Sequence, residues 1–409
     1  MFALNKENIL TLIFFMFPVL LLSVPHVGSF LYLVIGLIGI YIYFKSSDKV
    51  SLNKNEKIII YSMFGFFILS VFSVLLEYLN NGYFFEDAND KLEKYLKLGA
   101  AYLIFVSALK IERPIYVVKY AFSYAAIVYG LYSIFDKFYF HELARGITHH
   151  LVLGNISNTL FATLVIFIFY EKKKNTKLFL IFAAIAAFTA MMLSGARGAW
   201  VALPILLLLF FFVIKERRKT ILVTSSILIF TFVVMYLLPF TGVEKRINDG
   251  YSDIKVYMQG KGIRSIGSRF EMWRSSVEVI KTAPVFGVGV GGYRESVLSV
   301  TGNKIAARYY SPHNLYLNAL VTQGAIGLVS LLLVLFAPVI VLYKYTKSEI
   351  EGVRIFSIIA MTTSITYSIY GLTNAIFDGN AMSMFYVYMM VMVLVYLRRN
   401  SGDVVKNEP

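Results

Sequence analysis

One histidine and two arginines are the residues of this sequence best suited to do chemistry at neutral pH. His313 stands in "SPHN", between a proline and the start of a long apolar run. An imidazole with an ordinary pKa of about 6.5 could accept a proton there as a general base, or it could only cap a helix or fill an interface. Asn314, the next residue, could orient either this imidazole or a substrate.

Each of the two arginines is predicted at the start of a helix. They are Arg197 in "LSGARGAW" and Arg269 in "SIGSRFEMW". A helix N-terminus offers free N–H groups and a partial positive charge to an anion, and a guanidinium adds paired donors for phosphate oxygens. Two such positions suit a diphosphate better than a single phosphate. Either arginine could instead be an interfacial residue whose stem packs on apolar surface.

The helix that carries the second arginine is predicted from the pattern after residue 267. Ser268 and Glu271 fit a capping box, so the helix is expected to begin at Ser268 and to stop before Pro284, over about 268–282. Apolar side chains at helical spacing predict an amphipathic helix that lies on the membrane surface or on the helix bundle. These apolar side chains are Phe270, Trp273, Val277 and Ile280.

Two further polar residues are candidate supporting or acceptor-binding groups. Arg274 lies one helical turn beyond the second arginine, and Asp378 is a lone carboxylate between the last two apolar runs. Metal chemistry has no comparable candidates, because the sequence has no cysteine and the spacing of His141, His149 and His150 matches no standard zinc site. No metal and no cofactor are predicted.

A glycine-rich stretch, "GVGVGGY" at 287–293, follows the amphipathic helix. Such a stretch could cradle a phosphate, but a phosphate loop also needs a preceding strand and a Lys-Ser/Thr pair, which this segment lacks. We interpret it as a tight, close-packed turn.

The composition is that of a protein with many membrane spans. Of 409 residues, 58% are hydrophobic and 15% charged, and the mean hydropathy is +0.68. The formal charge of +15 is explained by basic cytoplasmic loops, so no nucleic-acid partner is predicted. Twelve apolar runs are long enough for spanning helices, near 9–24, 28–44, 57–78, 95–110, 115–135, 157–170, 178–193, 198–214, 220–240, 314–343, 354–377 and 381–397.

Lysines and arginines concentrate in alternate connections and at both ends of the chain. The positive-inside rule therefore predicts cytoplasmic termini and places the histidines and the two arginines on the outer face. The predicted organisation has nine spans in 1–240, an outer loop with the amphipathic helix in 241–312, three spans in 313–397 and a cytoplasmic tail in 398–409.

Five motifs occur in order along the chain: "SGARGAW", "SRFEMW", "KTAPVFGVGVGGY", "SPHN" and "QGAIGL". With these motifs the sequence resembles the bacterial O-antigen ligase family over about residues 190–330. This family lies within the O-antigen ligase/polymerase superfamily of membrane glycosyltransferases. The resemblance implies an all-α, twelve-span GT-C-like fold in the bacterial inner membrane, with the active site on the periplasmic face. One departure is that many members have a serine directly before the first arginine, whereas Ser194 here is three residues away.

The resemblance also implies roles for residues. Arg197 and Arg269 would bind the diphosphate of an undecaprenyl diphosphate-linked glycan, and His313 would deprotonate or orient the acceptor hydroxyl. In ligases of lipopolysaccharide biosynthesis the acceptor is the lipid A-core oligosaccharide. The family reaction is metal-independent, and direct displacement at the anomeric carbon would invert its configuration.

Three alternatives remain open at the level of sequence. An O-antigen polymerase uses the same lipid-linked donor but extends another lipid-linked glycan, and a protein O-oligosaccharyltransferase uses a protein hydroxyl as acceptor. A multispan transporter is the alternative from another class. Transporters with two six-span halves have a long cytoplasmic connection after the sixth span, whereas here that connection is the short "EKKKNTK".

Overall fold

The computed structural model describes residues 6–47, 49–140, 143–145 and 148–400, which form α-helices and short connections with no strand. The predicted tail is described only to residue 400, and His141 lies outside the described residues. The helices are α1 (Lys6–Leu20), α2 (Val27–Lys45), α3 (Lys54–Asn81), α4 (Ala88–Gly99), α5 (Ala101–Ala108), α6 (Pro114–Tyr139), α7 (His150–Tyr170), α8 (Lys174–Leu193), α9 (Arg197–Val213), α10 (Arg218–Leu237), α11 (Val243–Met258), α12 (Ser265–Thr282), α13 (Tyr293–Thr301), α14 (Leu315–Leu342), α15 (Glu351–Gly371) and α16 (Asn380–Arg399).

Nine helices within the described residues are long and apolar enough to cross a membrane, rather than the predicted twelve. They are α2, α3, α6, α7, α8, α10, α14, α15 and α16. The run at 95–110 is divided between α4 and α5 by a break at Ala100. The apolar helices α1 and α9 have 15 and 17 residues. At about 1.5 Å per residue both are shorter than the roughly 30 Å hydrocarbon core.

The centre of the bundle is formed by α7, α15 and α16, which are buried over most of their length. Polar side chains join two of these helices: the amide of Asn158 donates to the hydroxyl of Tyr370 at 2.9 Å, and that hydroxyl donates to the carbonyl of Asn155 at 3.1 Å. Hydrogen bonds of this kind fix helix pairs where no water competes. By contrast, α10 has one buried residue, Ile221, and its other residues are half-buried or exposed.

The segment 241–312 holds three helices, α11 to α13, where one amphipathic helix was predicted. Helix α12 ends before Pro284 as predicted, but it begins at Ser265 instead of Ser268, so the predicted capping box is wrong. The hydroxyl of Ser268 donates to the carbonyl of Arg264 at 3.0 Å. The carboxylate of Asp253 on α11 accepts from the N–H of Ile266 at 3.4 Å, so a residue distant in sequence satisfies the first turn.

The register of α12 differs from the prediction in two further respects. Arg269 lies in the second turn of the helix, so the argument from a helix N-terminus does not apply to it. The buried face is formed by Met272, Ser276 and Val279, whereas Val277, predicted on that face, is 46% exposed. The amphipathic character therefore holds, with the apolar side rotated around the helix.

The glycine-rich segment packs into a break in α14. Gly324 interrupts α14 with φ 66° and ψ −161°, and the chain from Pro284 to Gly289 lies against the interruption. The N–H groups of Val288 and Gly289 donate to carbonyls of α14 at 2.9 and 3.1 Å, and two N–H groups of α14 donate back to the carbonyls of Pro284 and Val285 at 2.9 and 3.4 Å. This pairing satisfies backbone groups that a broken helix leaves open. The interpretation of "GVGVGGY" as a close-packed turn is confirmed.

Substitution Gly324→Ala should destabilise the protein by roughly 2–5 kcal/mol, because the methyl group would overlap the carbonyl of Val285 at a residue with positive φ. The apparent midpoint of thermal unfolding, measured on purified protein in detergent, should fall. Gly65→Ala is the matched control, since Gly65 lies inside α3 with no atom within 4 Å of the added carbon. Equal midpoints for the two variants would contradict a tight junction at Gly324.

Candidate functional site

His313 is fixed by contacts from three parts of the chain. Its backbone has φ 48°, in the left-handed region that few residues other than glycine adopt. The indole N–H of Trp273 on α12 donates to the carbonyl of Pro312 at 3.0 Å, and the ring of Tyr309 meets the imidazole edge-on with centroids 5.5 Å apart. The Nδ1 atom lies 3.2 Å from Oδ1 of Asn374, in the loop between α15 and α16.

Of the two roles expected for Asn314, orienting the imidazole or orienting a substrate, the first does not agree with its contacts. Its Oδ1 accepts from the N–H groups of Tyr316 and Leu317, both at 3.0 Å, so it caps α14. Its Nδ2 donates to the carbonyl of Leu372 at 3.1 Å. Asn314 therefore joins two loops and does not orient the imidazole, whereas Asn374 is in position to do so.

The environment of His313 lowers the pKa of its imidazole below the ordinary value. Burial is the main cause and the charge of Arg269 adds to it, while the hydrogen bond to Asn374 and the charge of Asp378 act in the opposite direction. The imidazole is accordingly neutral at pH 7. A neutral imidazole has one nitrogen free to accept a proton.

Arg197 begins α9, as the sequence predicts, and lies against α11. Its Nη1 atom donates to the carbonyl of Arg246 at 3.5 Å. The guanidinium lies over Gly250, where any larger residue would overlap it. The glycine on α11 therefore makes the room that this arginine occupies.

Arg246 on α11 is a third arginine of the site, and sequence reasoning missed it. Its Nε and Nη2 atoms both donate to the carbonyl of Gly195, at 3.2 and 3.1 Å. Gly195 has φ 63°, which turns the chain just before α9 and suits a glycine. In the sequence, Arg246 is one of several charged residues in "GVEKRIND", and nothing there separates it from a solvated helix face.

The three arginines form a cluster with excess positive charge. Burial, followed by the charge of Arg197, lowers the pKa of Arg246 and that of Arg269, and Arg246 also acts on Arg269. Among the described residues, no carboxylate forms an ion pair with any of the three; Asp249 and Asp253 act on Arg246 only through space. Half-buried like charges without a paired counter-charge favour the binding of an anion. We call these three residues the arginine cluster.

Asp378 lies on the His313 side of the site and is not isolated. Its Oδ1 atom accepts from the hydroxyl of Tyr95 at 2.7 Å and from the amide of Asn318 at 3.5 Å. These two contacts hold the carboxylate where its charge acts on His313. Arg274, by contrast, is an exposed residue of α12.

The start of α7 also faces this region. His149 caps α7 by accepting from the N–H of Leu151 at 3.3 Å, and its ring lies 4.4 Å from that of His150. Burial, followed by the charge of His313, lowers the pKa of His149. Among the described residues no group of three histidine or carboxylate side chains could hold a metal ion.

An apolar groove of about 950 Å³ begins at Arg197 and runs between α9 and α10. From Arg197 to Phe211 on α9 the groove is about 20 Å long, at 1.5 Å per residue. Residues of α11 and Ile266 of α12 close it at the end near the arginine cluster. The other walls are formed mainly by Trp200, Pro204, Leu208, Leu222, Ile229 and Phe232. A long hydrocarbon chain with an anionic group at one end fits this arrangement.

Residues 182–332 match the family model described as O-antigen ligase. The chain is similar to the O-antigen ligase family over this segment. An uncharacterized protein of Haemophilus influenzae is 27% identical over 399 residues, which cover 95% of this chain and 97% of the relative. The likeness to this relative thus extends well beyond the segment that the family model matches.

The O-antigen ligase segment contains the arginine cluster, His313 and the break in α14. Asn374 and Asp378 lie after it, in the loop between α15 and α16. The fold therefore completes the site with residues that the family motifs do not include.

Arg246→Ala should weaken binding of inorganic diphosphate by about tenfold or more, because a charge-assisted hydrogen bond contributes roughly 1.5–3 kcal/mol. The measurement is calorimetric titration of purified protein in detergent. Arg274→Ala removes the same charge from an exposed site and should change affinity by less than about twofold after salt screening. Equal losses in the two variants would mean that diphosphate binding depends only on the net charge of the protein.

Proposed function

We propose that this protein is a glycosyltransferase that moves O-antigen polysaccharide from undecaprenyl diphosphate to the lipid A-core oligosaccharide. The observation that carries the proposal is the position of the arginine cluster at the end of the apolar groove and beside a neutral imidazole. A donor with a long lipid chain and a diphosphate needs these two features next to each other. The O-antigen ligase match supports the same class of enzyme.

In this proposal the groove between α9 and α10 holds the first part of the polyprenyl chain. The arginine cluster then meets the diphosphate at the depth of the lipid headgroups. Negative charge builds up on the diphosphate as the bond from the anomeric carbon to the phosphate oxygen breaks, and three guanidiniums stabilise that charge. Such a leaving group needs no proton from the enzyme.

His313 would act on the acceptor sugar. Its Nε2 atom takes the proton of the acceptor hydroxyl while the hydroxyl oxygen forms a bond to the anomeric carbon, and the electrons of the broken bond leave with the diphosphate. Attack opposite to the leaving group inverts the configuration at that carbon. Asp378, whose Oδ1 accepts from Tyr95, would accept a hydrogen bond from another acceptor hydroxyl.

The proposed location is the bacterial inner membrane, with both termini in the cytoplasm and the site on the periplasmic face. The supporting observation is the distribution of charge. Lysines and arginines concentrate in the connections at 45–57, 110–119, 172–177, 215–219 and 344–354. The arginine cluster and His313 lie at the other ends of the helices that these connections join.

Deletion of the gene in the bacterium that carries it tests the choice of acceptor. We expect lipopolysaccharide with a complete core and no O-chain, together with accumulated lipid-linked polymer, since the donor would still be made but not transferred. The measurement is electrophoresis of lipopolysaccharide from the deletion strain and from the wild type. A core with one repeat unit would instead indicate a polymerase, and unchanged lipopolysaccharide with unglycosylated proteins a protein glycosyltransferase.

His313→Gln should lower transfer by roughly two to four orders of magnitude, because glutamine can bond to a hydroxyl but cannot take its proton at neutral pH. His26→Gln is the matched control, since His26 is the other described non-glycine residue with positive φ and lies in an exposed turn. The measurement is transfer from lipid-linked glycan, extracted from the deletion strain, to core lipopolysaccharide. Near-normal transfer by His313→Gln would show that His313 does not act as the base.

The pH profile of the wild-type enzyme gives a second expectation for the same residue. A base works in its neutral form, so the rate should be constant above its pKa and fall as the pH falls through it. Because burial and Arg269 lower the pKa of His313, this decline should be centred below about 6.5. A decline centred above that value would assign it to another group.

A further inference from the structure

Two loops on the outer side of the bundle are joined by a pair of side-chain contacts. Asn314 donates from Nδ2 to the carbonyl of Leu372 at 3.1 Å, and His313 meets Oδ1 of Asn374 at 3.2 Å. The backbone of Asn374 is fixed as well, because its N–H donates to the carbonyl of Tyr370 and its carbonyl accepts from Ile376, at 3.1 and 3.0 Å. Asn374 is thus held from both sides while it faces the imidazole.

The chemistry of this contact determines which imidazole nitrogen carries the proton. A carboxamide oxygen has lone pairs and no hydrogen, so it can only accept a hydrogen bond. The nitrogen that faces it, Nδ1 of His313, must therefore be the donor. In the neutral ring the remaining nitrogen, Nε2, then has a free lone pair, which is the atom that a base uses.

We propose that Asn374 is a positioning residue that keeps His313 in the tautomer with Nδ1 protonated and turns Nε2 towards the acceptor. The catalytic consequence depends on the proposed transferase function, whereas the tautomer itself does not. The contact between Trp273 and the carbonyl of Pro312 fixes the backbone, and Asn374 fixes the rotation of the ring.

A neutral orienting group suits the charges around the ring. Arg269 on α12 opposes the protonated form of His313, and Asp378 in the same loop as Asn374 favours it. His149 at the start of α7 also interacts with it, and the ring of Tyr309 meets it edge-on. A carboxylate in place of Asn374 would keep the hydrogen bond but stabilise the protonated ring. A larger fraction of His313 would then be protonated at neutral pH and unable to act as a base.

The test is nitrogen NMR of the full chain in lipid nanodiscs with labelled histidine, where the His313 signals are assigned by their loss in His313→Gln. Wild-type protein should show a protonated Nδ1 and an unprotonated Nε2. Asn374→Asp should keep this tautomer and raise the pKa of His313, while Asn374→Ala should give a mixture of both tautomers. Thr373→Ser, in the same loop, should match the wild type.

The tautomer test needs no donor, so it separates this inference from the proposed function. If transfer is never detected but the tautomer changes as stated, the positioning role stands and the transferase proposal fails. If transfer is detected, Asn374→Ala should lower kcat roughly ten- to hundredfold with little change in KM for the donor. Asn374→Asp should move the acidic decline of the rate to higher pH.

Two results would overturn the inference. One is an unchanged tautomer and pKa in Asn374→Ala, which would mean that other contacts orient the ring. The other is an equal loss in Asn374→Ala and Asn374→Asp with the same pH profile, as expected if Asn374 only maintains the loop. A variant with correct folding is identified by an unfolding midpoint equal to that of the wild type.

Discussion

The mutual repulsion of Arg197, Arg246 and Arg269 is the constraint around which the site is arranged. Three half-buried guanidiniums within electrostatic reach of one another oppose folding, since each loses hydration and gains a like-charged neighbour. The fold holds Arg197 and Arg246 with backbone carbonyls and not with carboxylates. A carboxylate would stabilise the free protein but would compete with an anionic ligand. The arrangement therefore favours binding over stability, as is common at functional sites.

A second constraint is the distance between Arg269, on α12, and His313, in the loop that precedes α14. Helix α12 carries Arg269 and, four residues later, Trp273, whose indole holds the carbonyl before His313. The chain leaving α12 then inserts at the break in α14, at Gly324. Two connections thus join α12 to α14, one at the site and one about two turns further along. The glycines at this junction serve to fix α12 relative to the helix that His313 precedes.

Two of the site residues that sequence reasoning found share one property. Arg197 is the first residue of the apolar helix α9, and His313 lies two residues before the apolar helix α14, so hydropathy alone locates them near the membrane edge. Arg246 and Asn374 have no such marker, because their roles depend on Gly195 and on His313, which lie 51 and 61 residues away along the chain. Spacing along one helix cannot show a partner on another. Pairings of this kind require the fold.

The difference between local sequence signals and contacts between helices also explains why the start of α12 and the span at 95–110 were predicted wrongly. The predicted start of α12 relied on a local cap at Ser268, but Asp253 of α11 supplies an acceptor for the N–H of Ile266, so the helix begins earlier. The apolar run at 95–110 has the composition of a span, yet the chain breaks at Ala100. Hydropathy measures how well a segment tolerates lipid and does not register where its backbone bends.

The sparse packing of α10 has a consequence for the length of the lipid chain in the proposed donor. Leu208 on α9 and Ile229 on α10 line the groove and are 58% and 64% exposed, so the groove is open along its side. A closed tunnel would limit the length of the lipid chain that can bind and would exclude longer chains. For the proposed donor, an open groove would bind only the first isoprene units next to the charged head, and the remainder would mix with the bilayer. Selection would then act on the head of the carrier, and carriers of different length would bind equally well.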